Sequence, residues 1–274
     1  MRVLFISIVS IIVLAIVLTI TRLWGLGQQY AEFQHPFFNG SKTPLVILRT
    51  ENEKELADAI AQMPEVVIWM DVETTADKKL IVFSRDFTAK EISFEAYRGP
   101  KSLAYPFQKL QNVHPDVREL KDIVTKYPTQ RFVLNITDNV ENVHLWVDQA
   151  LKGLSPEKRI LIQSNYNVII NSIKDLEPFW LYGCSQADLM RFLTFDSMWI
   201  LPATPFKGDV YIAPFKLLGR PAFHENILDE VRRRNKKVVL GPLLDKKEFD
   251  DAIRLKADAV IVENLSDFLN WSRP

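Results

Sequence analysis

The chain has 274 residues, and its 34 lysine and arginine residues are balanced by 34 aspartate and glutamate residues. This balance excludes the strong positive field by which basic proteins gather nucleic acid, so we expect no nucleic-acid partner. A single cysteine, Cys184, excludes an intrachain disulfide and a cluster of thiolates around zinc. The four histidines are far apart and form no HExxH or similar metal-binding motif.

The chain begins with an apolar run, residues 3–20, which contains no charge and is interrupted only by serine and threonine. A transmembrane helix needs about 17–25 apolar residues. Arg22 and Trp24 follow the run as an interfacial flank, and no small-residue cleavage site follows it. We therefore predict that residues 1–24 form a single-pass membrane anchor, with the soluble domain outside the cytoplasm. A cleaved signal peptide is the alternative interpretation.

Residues 25–43 are rich in aromatic and polar side chains and show no clear period. We interpret them as a juxtamembrane stalk that packs on the domain that follows. Residues 44–274 are too many for a small β-sandwich and suit one large domain. No glycine occurs between Gly40 and Gly99, so the first half of this domain has no glycine-rich loop for a phosphate group.

Within this domain, short apolar segments alternate with segments that have helical spacing. The nine strand candidates are residues 44–48, 66–72, 80–83, 131–136, 159–163, 179–182, 210–213, 237–240 and 257–262. The helix candidates are residues 52–62, 115–127, 140–151, 168–176, 186–195, 224–234 and a segment capped by Asp245. Short, continuous, β-branched strands are typical of parallel sheets, and the alternation predicts a (β/α)8 TIM barrel with one extra strand. A doubly wound open sheet is the alternative, but the first strand lacks a G-x-G-x-x-G turn.

Residues 224–237 contain a histidine and the densest basic run of the chain, residues 232–237. We interpret His224 as a helix-start residue rather than a catalytic one. Cations at the end of a helix interact favourably with the helix dipole. We therefore predict that the basic run is a solvated helix end rather than a patch for lipid or nucleic acid.

The active site of a TIM barrel lies at the carboxyl ends of its strands. The polar residues predicted at these ends are Arg49, Asp71, Glu73, Ser84, Arg85, Asp86, Thr137, Asp138, Ser164, Asn165 and Glu263. Side chains alternate along a strand, so Trp69, Asp71 and Glu73 share one face. This pattern predicts an indole and two carboxylates at the barrel mouth.

The ordered motifs resemble those of the glycerophosphodiester phosphodiesterase family over roughly residues 44–267. That family has a strand ending His-Arg-Gly, an E-x-D strand, a T-x-D-G turn, a strand ending V-F-H-D, a strand ending E-I-K, and a late strand of the form V-D-G-I-I-T-D. This sequence has LVILRT, WMDVETTADKKLIVFSRD, FVLNITDN and FDDAIRLKADAVIVEN in the same order and spacing. The resemblance implies a TIM barrel and the hydrolysis of phosphoric diesters.

The sequence departs from the family pattern at the catalytic positions. The resemblance implies two histidines as general acid and base, and two glutamates with an aspartate as ligands of a divalent metal. Leu48 and Ser84 stand at the positions of the two histidines. Trp69 and Thr137 stand at the positions of the two glutamates, and Lys78 stands at the position of the turn glycine. The metal-binding aspartate remains as Asp71, and the arginine after the first histidine remains as Arg49. Leucine cannot transfer a proton, and one carboxylate does not make a Mg²⁺ or Ca²⁺ site.

We therefore predict a membrane-anchored pseudoenzyme that needs no cofactor, has no confident catalytic residue, and binds a small anionic or lipid-derived ligand or acts as an interaction module. The candidate ligand-binding residues are Arg49, Trp69, Ser84 and Arg85. Two simpler roles compete with ligand binding, namely an ion pair between Arg49 and Asp71 and a core position for Trp69.

The alternative function is an active phosphoric diester hydrolase of lipid metabolism that holds Mg²⁺ or Ca²⁺ at a rearranged site containing Asp71 and Glu73. A shifted register, in which these two residues replace the E-x-D motif, would serve that function. The shift would break the spacing from Asp71 to Thr75 and Asp77, which agrees with the family.

Overall fold

The computed structural model describes residues 2–32, 34–39, 44–84, 103, 105–217 and 219–272. In chain order the strands are β1 (Leu45–Arg49), β2 (Val67–Thr74), β3 (Leu80–Val82), β4 (Arg118–Glu119), β5 (Phe132–Ile136), β6 (Ile160–Gln163), β7 (Leu181–Tyr182), β8 (Val210–Ala213), β9 (Lys216–Leu217), β10 (Arg220–Pro221), β11 (Lys237–Leu240) and β12 (Ala259–Val262). The helices are α1 (Arg2–Leu26), α2 (Glu53–Gln62), α3 (Phe107–Val113), α4 (Leu120–Lys126), α5 (Val143–Leu151), α6 (Pro156–Arg159), α7 (Asn167–Leu176), α8 (Gln186–Ser197), α9 (Glu225–Arg233), α10 (Lys246–Arg254) and α11 (Leu265–Trp271).

Eight of the strands form a barrel in the order β7-β6-β5-β2-β1-β12-β11-β8, and every neighbouring pair is parallel. The two outermost strands approach each other where the Asp209 amide donates a hydrogen bond of 2.8 Å to the Tyr182 carbonyl oxygen. The barrel is therefore nearly closed, and the predicted (β/α)8 TIM barrel is confirmed.

The extra strand candidate, residues 80–83, lies outside the barrel as β3. It pairs antiparallel with the end of β2, with Glu73 opposite Ile81, and then with β4. The predicted helix over residues 115–127 is shorter than expected, because only α4 is helical. Val117 packs with Ile81 and Leu110 in a small separate cluster. This packing holds the residues before α4 in a turn and in the short strand β4.

The amino-terminal ends of the barrel strands are covered by residues 28–39. Phe37 is fully buried there and belongs to the main hydrophobic core. Its carbonyl oxygen accepts a hydrogen bond of 2.9 Å from Arg131, which precedes β5, and the Tyr30 carbonyl accepts one of 3.1 Å from Asn235, which precedes β11. We call this end of the barrel, with residues 28–39 and the last turns of α8 and α9, the closed end.

Helix α1 extends from the closed end. Residues 4–26 are long and apolar enough to cross a membrane, and the apolar window of this helix has no buried residue. A signal sequence near the amino terminus meets the same criteria of length and composition. The last turns of α1 contact the barrel, where Arg22 donates a hydrogen bond of 2.9 Å to the Trp199 carbonyl oxygen.

Candidate functional site

The carboxyl ends of the barrel strands surround a cavity of about 160 Å³, which we call the mouth. Each of the eight barrel strands contributes a lining residue, either from within the strand or from the one or two positions that follow it. The residues that line the mouth are Arg49, Trp69, Asn135, Gln163, Asn165, Cys184, Gln186, Leu189, Ile212, Pro214, Gly241, Pro242 and Ile261. The polar part of this lining is one guanidinium, one indole N–H and four carboxamides, and the remainder is mostly apolar.

The carboxylate of Asp71, on β2 two residues after Trp69, accepts hydrogen bonds from three neighbouring side chains. One oxygen accepts hydrogen bonds from Trp69 Nε1 (3.0 Å) and Asn135 Nδ2 (2.8 Å). The other oxygen accepts a short hydrogen bond from Arg49 Nη2, which confirms the predicted ion pair. The strand register explains the cluster, because Arg49 lies opposite Trp69 and Asp71 lies opposite Asn135. Trp69 therefore borders the cavity and packs on the core at the same time.

A divalent metal does not fit this donor set. Mg²⁺ and Ca²⁺ need several hard oxygen ligands, whereas the Asp71 oxygens already accept three hydrogen bonds, one of them from a cation. Glu73 lies beyond the last β2–β5 pair, opposite β3. Among the residues that the structure describes, no three histidine, cysteine, aspartate or glutamate side chains are placed to share a metal ion.

Gln163 is the most deeply buried amide of the mouth, with only 7% of its surface exposed. Its Nε2 donates a hydrogen bond of 2.8 Å to the Cys184 carbonyl oxygen, and its Oε1 has no partner among the described atoms. A side chain at position 183 would place its Cβ 1.9 Å from this oxygen, so Gly183 provides the space that the amide occupies. An unpaired buried acceptor has a free-energy cost, which a ligand or a water molecule that donates a hydrogen bond would remove.

Cys184 lines the mouth but is not an activated nucleophile. Its Sγ lies 3.2 Å from the Ile212 carbonyl oxygen and 3.1 Å from the Ile212 amide. Burial raises the pKa of the Cys184 thiol to about 12, so the thiolate is scarce at neutral pH.

The turn after β2 has a left-handed residue, Lys78, at the position where the family motif has glycine. Lys78, at the turn-glycine position, has a φ of 63°, in the left-handed region that favours glycine. Thr75 Oγ1 lies 2.6 Å from Asp77 Oδ1 and accepts a hydrogen bond of 3.0 Å from the Lys79 amide. This geometry supports the unshifted register, with Asp71 at the position of the family aspartate.

Other positions of the family pattern lie away from the mouth. Leu48 borders a second groove of about 530 Å³ between α2 and the start of α11, together with Glu263 and with Arg49, which also lines the mouth. This groove is larger than the mouth but lies outside the barrel. Thr137 Oγ1 donates a hydrogen bond of 3.0 Å to the Val72 carbonyl oxygen, so it stabilises the end of β2.

Several predicted mouth residues have structural roles. Asp138 is buried and accepts a short hydrogen bond from the Thr74 amide, and burial raises the pKa of its carboxyl group. Ser164 is buried and donates a hydrogen bond of 2.7 Å to the Ile136 carbonyl oxygen. Ser84 is partly exposed and is not among the described residues that line the mouth. Arg85 and Asp86 lie outside the described residues.

Sequence reasoning missed Asn135, Gln163 and Gln186 as mouth residues. Asn135 and Gln163 are the inward-facing polar residues near the ends of β5 and β6, and Gln186 begins α8. The alternation of side chains along a strand would have found the first two. The prediction instead followed residues with charges or hydroxyl groups.

Solved structures of glycerophosphodiester phosphodiesterases share this fold. A domain from Mycobacterium tuberculosis matches with a TM-score of 0.66 and 15% identity, covering 84% of this chain and 99% of that one. The enzyme from Thermotoga maritima matches with a TM-score of 0.61 and 13% identity, covering 84% and 99% of the two chains. A phosphodiesterase from Oleispira antarctica, solved with its product sn-glycerol-3-phosphate, matches with a TM-score of 0.58 and 14% identity, covering 83% and 96%.

The resemblance to the glycerophosphodiester phosphodiesterase family is supported at the level of the fold. No family model matches the sequence, and no curated protein matches it. At identities of 13–15% to these three structures, the likeness extends to the barrel and its strand order.

Proposed function

We propose that this protein is a membrane-anchored barrel without phosphodiesterase activity, and that its mouth binds a small anionic ligand. The observation that carries this proposal is the state of Asp71. The one carboxylate that matches the family's metal-binding set is held by Arg49, Trp69 and Asn135. A carboxylate in this state positions a guanidinium rather than a metal ion.

The described lining of the mouth contains no group that can act as a general acid or base near neutral pH. Its titratable members are Arg49 and Cys184. Arginine stays protonated in proteins, and the pKa of the Cys184 thiol is raised to about 12. Hydrolysis of a phosphoric diester needs proton transfer to the leaving oxygen or a metal that stabilises it. Neither is supported by the described residues of this site.

The same lining suits an anion with hydroxyl groups. A guanidinium has five N–H donors, and one of those of Arg49 is bonded to Asp71, which leaves others for a phosphate or carboxylate. The amides of Asn165 and Gln186 can both donate and accept, and Trp69 offers an apolar face. A volume of about 160 Å³ equals that of about five water molecules, which suits a phosphate with a short polyol.

Anchoring through α1 is the second part of the proposal. The helix has the length and composition of a membrane span, and its apolar residues are exposed as a bilayer requires. Arg22 and Trp24 follow the apolar residues at the position where aromatic and basic side chains meet the lipid headgroups.

A calorimetric titration of the full chain in detergent tests the binding. We expect sn-glycerol-3-phosphate to bind equally well with and without EDTA, and Arg49→Met to weaken binding by about tenfold or more, because a hydrogen bond to a charged group contributes about 1.5–3 kcal/mol. Arg254→Met is the matched control, since Arg254 is also about half-exposed and ion-paired but lies on α10. Binding that requires a divalent metal, or that survives Arg49→Met unchanged, would contradict the proposal.

A further inference from the structure

The contacts between α1 and the barrel determine which end of the barrel lies next to the helix. Gly25 packs so closely on the turn at residues 201–203 that a Cβ at this position would lie 2.3 Å from the Pro202 carbonyl carbon. Arg233 donates a hydrogen bond of 3.2 Å to the Gly25 carbonyl oxygen and one of 3.5 Å to that of Leu26. Arginine at this position caps the carbonyl groups that end a helix. The helix is thus attached to the barrel through its last turns.

A buried ion-pair network fixes this attachment. Both Glu230 oxygens accept hydrogen bonds of 2.8 Å from Arg233, and one of them accepts a bond of 2.6 Å from Arg234. Arg234 in turn donates to the carbonyl oxygens of Thr204 and Pro202, over 2.6 and 3.0 Å. The basic run ends α9 as predicted. The prediction that the run is solvated is wrong for Arg234, which is only 3% exposed. Its charge holds the turn against which α1 packs.

All of these contacts lie at the closed end. In a (β/α)8 barrel the helices run opposite to the strands, so the last turns of α8 and α9 lie at the amino-terminal ends of the strands. None of residues 4–21 of α1 is buried, so the helix leaves the barrel there instead of packing along its side. The mouth is at the opposite end of the barrel.

The surface beside α1 carries exposed apolar side chains, which form a patch at the level where the span ends. Its members are Leu23, Trp24, Met198 and Trp199. Trp199 is 56% exposed and stacks under the Arg22 guanidinium, 4.4 Å from the ring centroid. It also has a φ of 64°, a left-handed conformation that is unfavourable for a bulky residue and common for the glycine that ends a helix. Tryptophan is enriched at the headgroup level of membranes, because it is apolar with a polar N–H.

We infer that the closed end of the barrel lies on the bilayer through this patch, and that the mouth opens into the water on the far side. The inference rests on the anchoring in the proposed function and specifies the source of the ligand. A ligand reaches the mouth from the aqueous phase, and a lipid that stays in the bilayer around α1 does not reach it. The partner of the patch is the lipid headgroup region itself.

Depth-dependent quenching in vesicles tests this orientation with the full chain. In one variant a fluorescent probe is attached at Ser197→Cys, beside the patch. In the other it is attached at Lys216→Cys, in β9, which follows β8 on the mouth side. Both positions are exposed. The native thiol does not interfere, because Cys184 is 1% exposed. Phosphatidylcholine vesicles carry a nitroxide on the lipid headgroup. We expect quenching at position 197 to exceed that at position 216 at least threefold.

Equal quenching at the two positions, stronger quenching at position 216, or no quenching at either would overturn the inference. Alkaline extraction of the same vesicles separates this failure from that of the proposed function. Protein that is released by the extraction overturns the anchoring and the inference together. Protein that is retained but quenched equally at both positions overturns the inference alone.

A second variant, Trp199→Gly, tests the role of the patch. Glycine adopts the left-handed conformation without strain, so we expect the melting temperature in detergent to stay the same or rise. Quenching at position 197 should fall by about half, because the interfacial side chain is removed. A lower melting temperature with unchanged quenching would mean that Trp199 only packs on Arg22, and would overturn the role of the patch.

Discussion

At the closed end, Glu230 and Arg234 are both buried and bonded to each other, whereas at the mouth Asp71 and Arg49 form a pair that is partly exposed. Both pairs join an acid to an arginine, but they differ in what they stabilise. The closed-end pair holds a turn and the last residues of α1, and removal of one partner leaves a buried charge. The mouth pair orients one guanidinium at a cavity. The closed-end charges hold the fold together, whereas under the proposed function the guanidinium at the mouth is available to a ligand.

The largest expected effect separates the two pairs. Glu230→Gln leaves the buried Arg234 without a compensating charge and should lower the free energy of unfolding by about 3–5 kcal/mol. Asp71→Asn should lower it by at most about 1 kcal/mol, because exposed pairs contribute little. Urea denaturation of the full chain in detergent measures both. The control is Asp229→Asn, one residue from Glu230, whose side chain is 75% exposed. Similar losses for Glu230→Gln and Asp71→Asn would remove the distinction between the ends.

A backbone change at the mouth should have the next largest effect. Gly241 lines the cavity with a φ of +137°, and a Cβ there would lie 2.6 Å from the Ile261 carbonyl oxygen. Gly241→Ala should therefore cost about 1–3 kcal/mol of unfolding free energy and weaken ligand binding, because β11 and β12 must move apart. The control is Gly153→Ala, which has a φ of +80° but no atom within 4 Å of its Cβ. An equal cost at both positions would show that the close approach at the mouth has no separate effect.

The closed end should also respond to pH. Burial lowers the pKa of His35, whose Nδ1 accepts a hydrogen bond of 3.2 Å from the Phe37 amide. The folded protein therefore binds a proton at this site less readily than the unfolded chain. The contribution of neutral His35 is complete above the unfolded pKa of about 6.5, and it is lost as the pH falls from there through the lower folded pKa.

The variant His35→Asn checks this dependence, because asparagine can still accept the Phe37 hydrogen bond but does not titrate. The stability of the unmodified protein, measured by denaturation between pH 7.5 and about 5, should fall more steeply than that of the variant. Parallel curves would show that His35 does not contribute to the pH response of the closed end.

The smallest effect is expected at the turn after β2. Lys78→Gly should raise the free energy of unfolding by about 0.5–1 kcal/mol, because the left-handed conformation is strained for lysine, although glycine is more flexible in the unfolded chain. Lys247→Gly, at the exposed second position of α10, should lower it by at most about 1 kcal/mol. Thermal unfolding of both variants measures the difference. A lower free energy of unfolding for Lys78→Gly would argue against a strained left-handed conformation at this turn.

The sequence was sufficient to predict the barrel, because each barrel strand is a short apolar run between turn residues. It also predicted the ion pair of Arg49 with Asp71, since both residues lie near the carboxyl ends of neighbouring predicted strands. Asn165 was predicted at the mouth, whereas Asn135 and Gln163 were missed because the alternation of side chains along β5 and β6 was not applied. Arg233 and Arg234 were misjudged because their partners, such as Gly25 and Pro202, are distant in sequence, and local charge patterns do not report such contacts.

The measurement that tests the account most directly is turnover of a glycerophosphodiester by the full chain in detergent, with saturating Mg²⁺ or Ca²⁺. The engaged state of Asp71 predicts no release of sn-glycerol-3-phosphate above the rate without protein, and no difference between the unmodified chain and Asp71→Asn. Metal-dependent turnover that disappears in Asp71→Asn would contradict the account, because it would show that Asp71 leaves Arg49 to bind a catalytic metal.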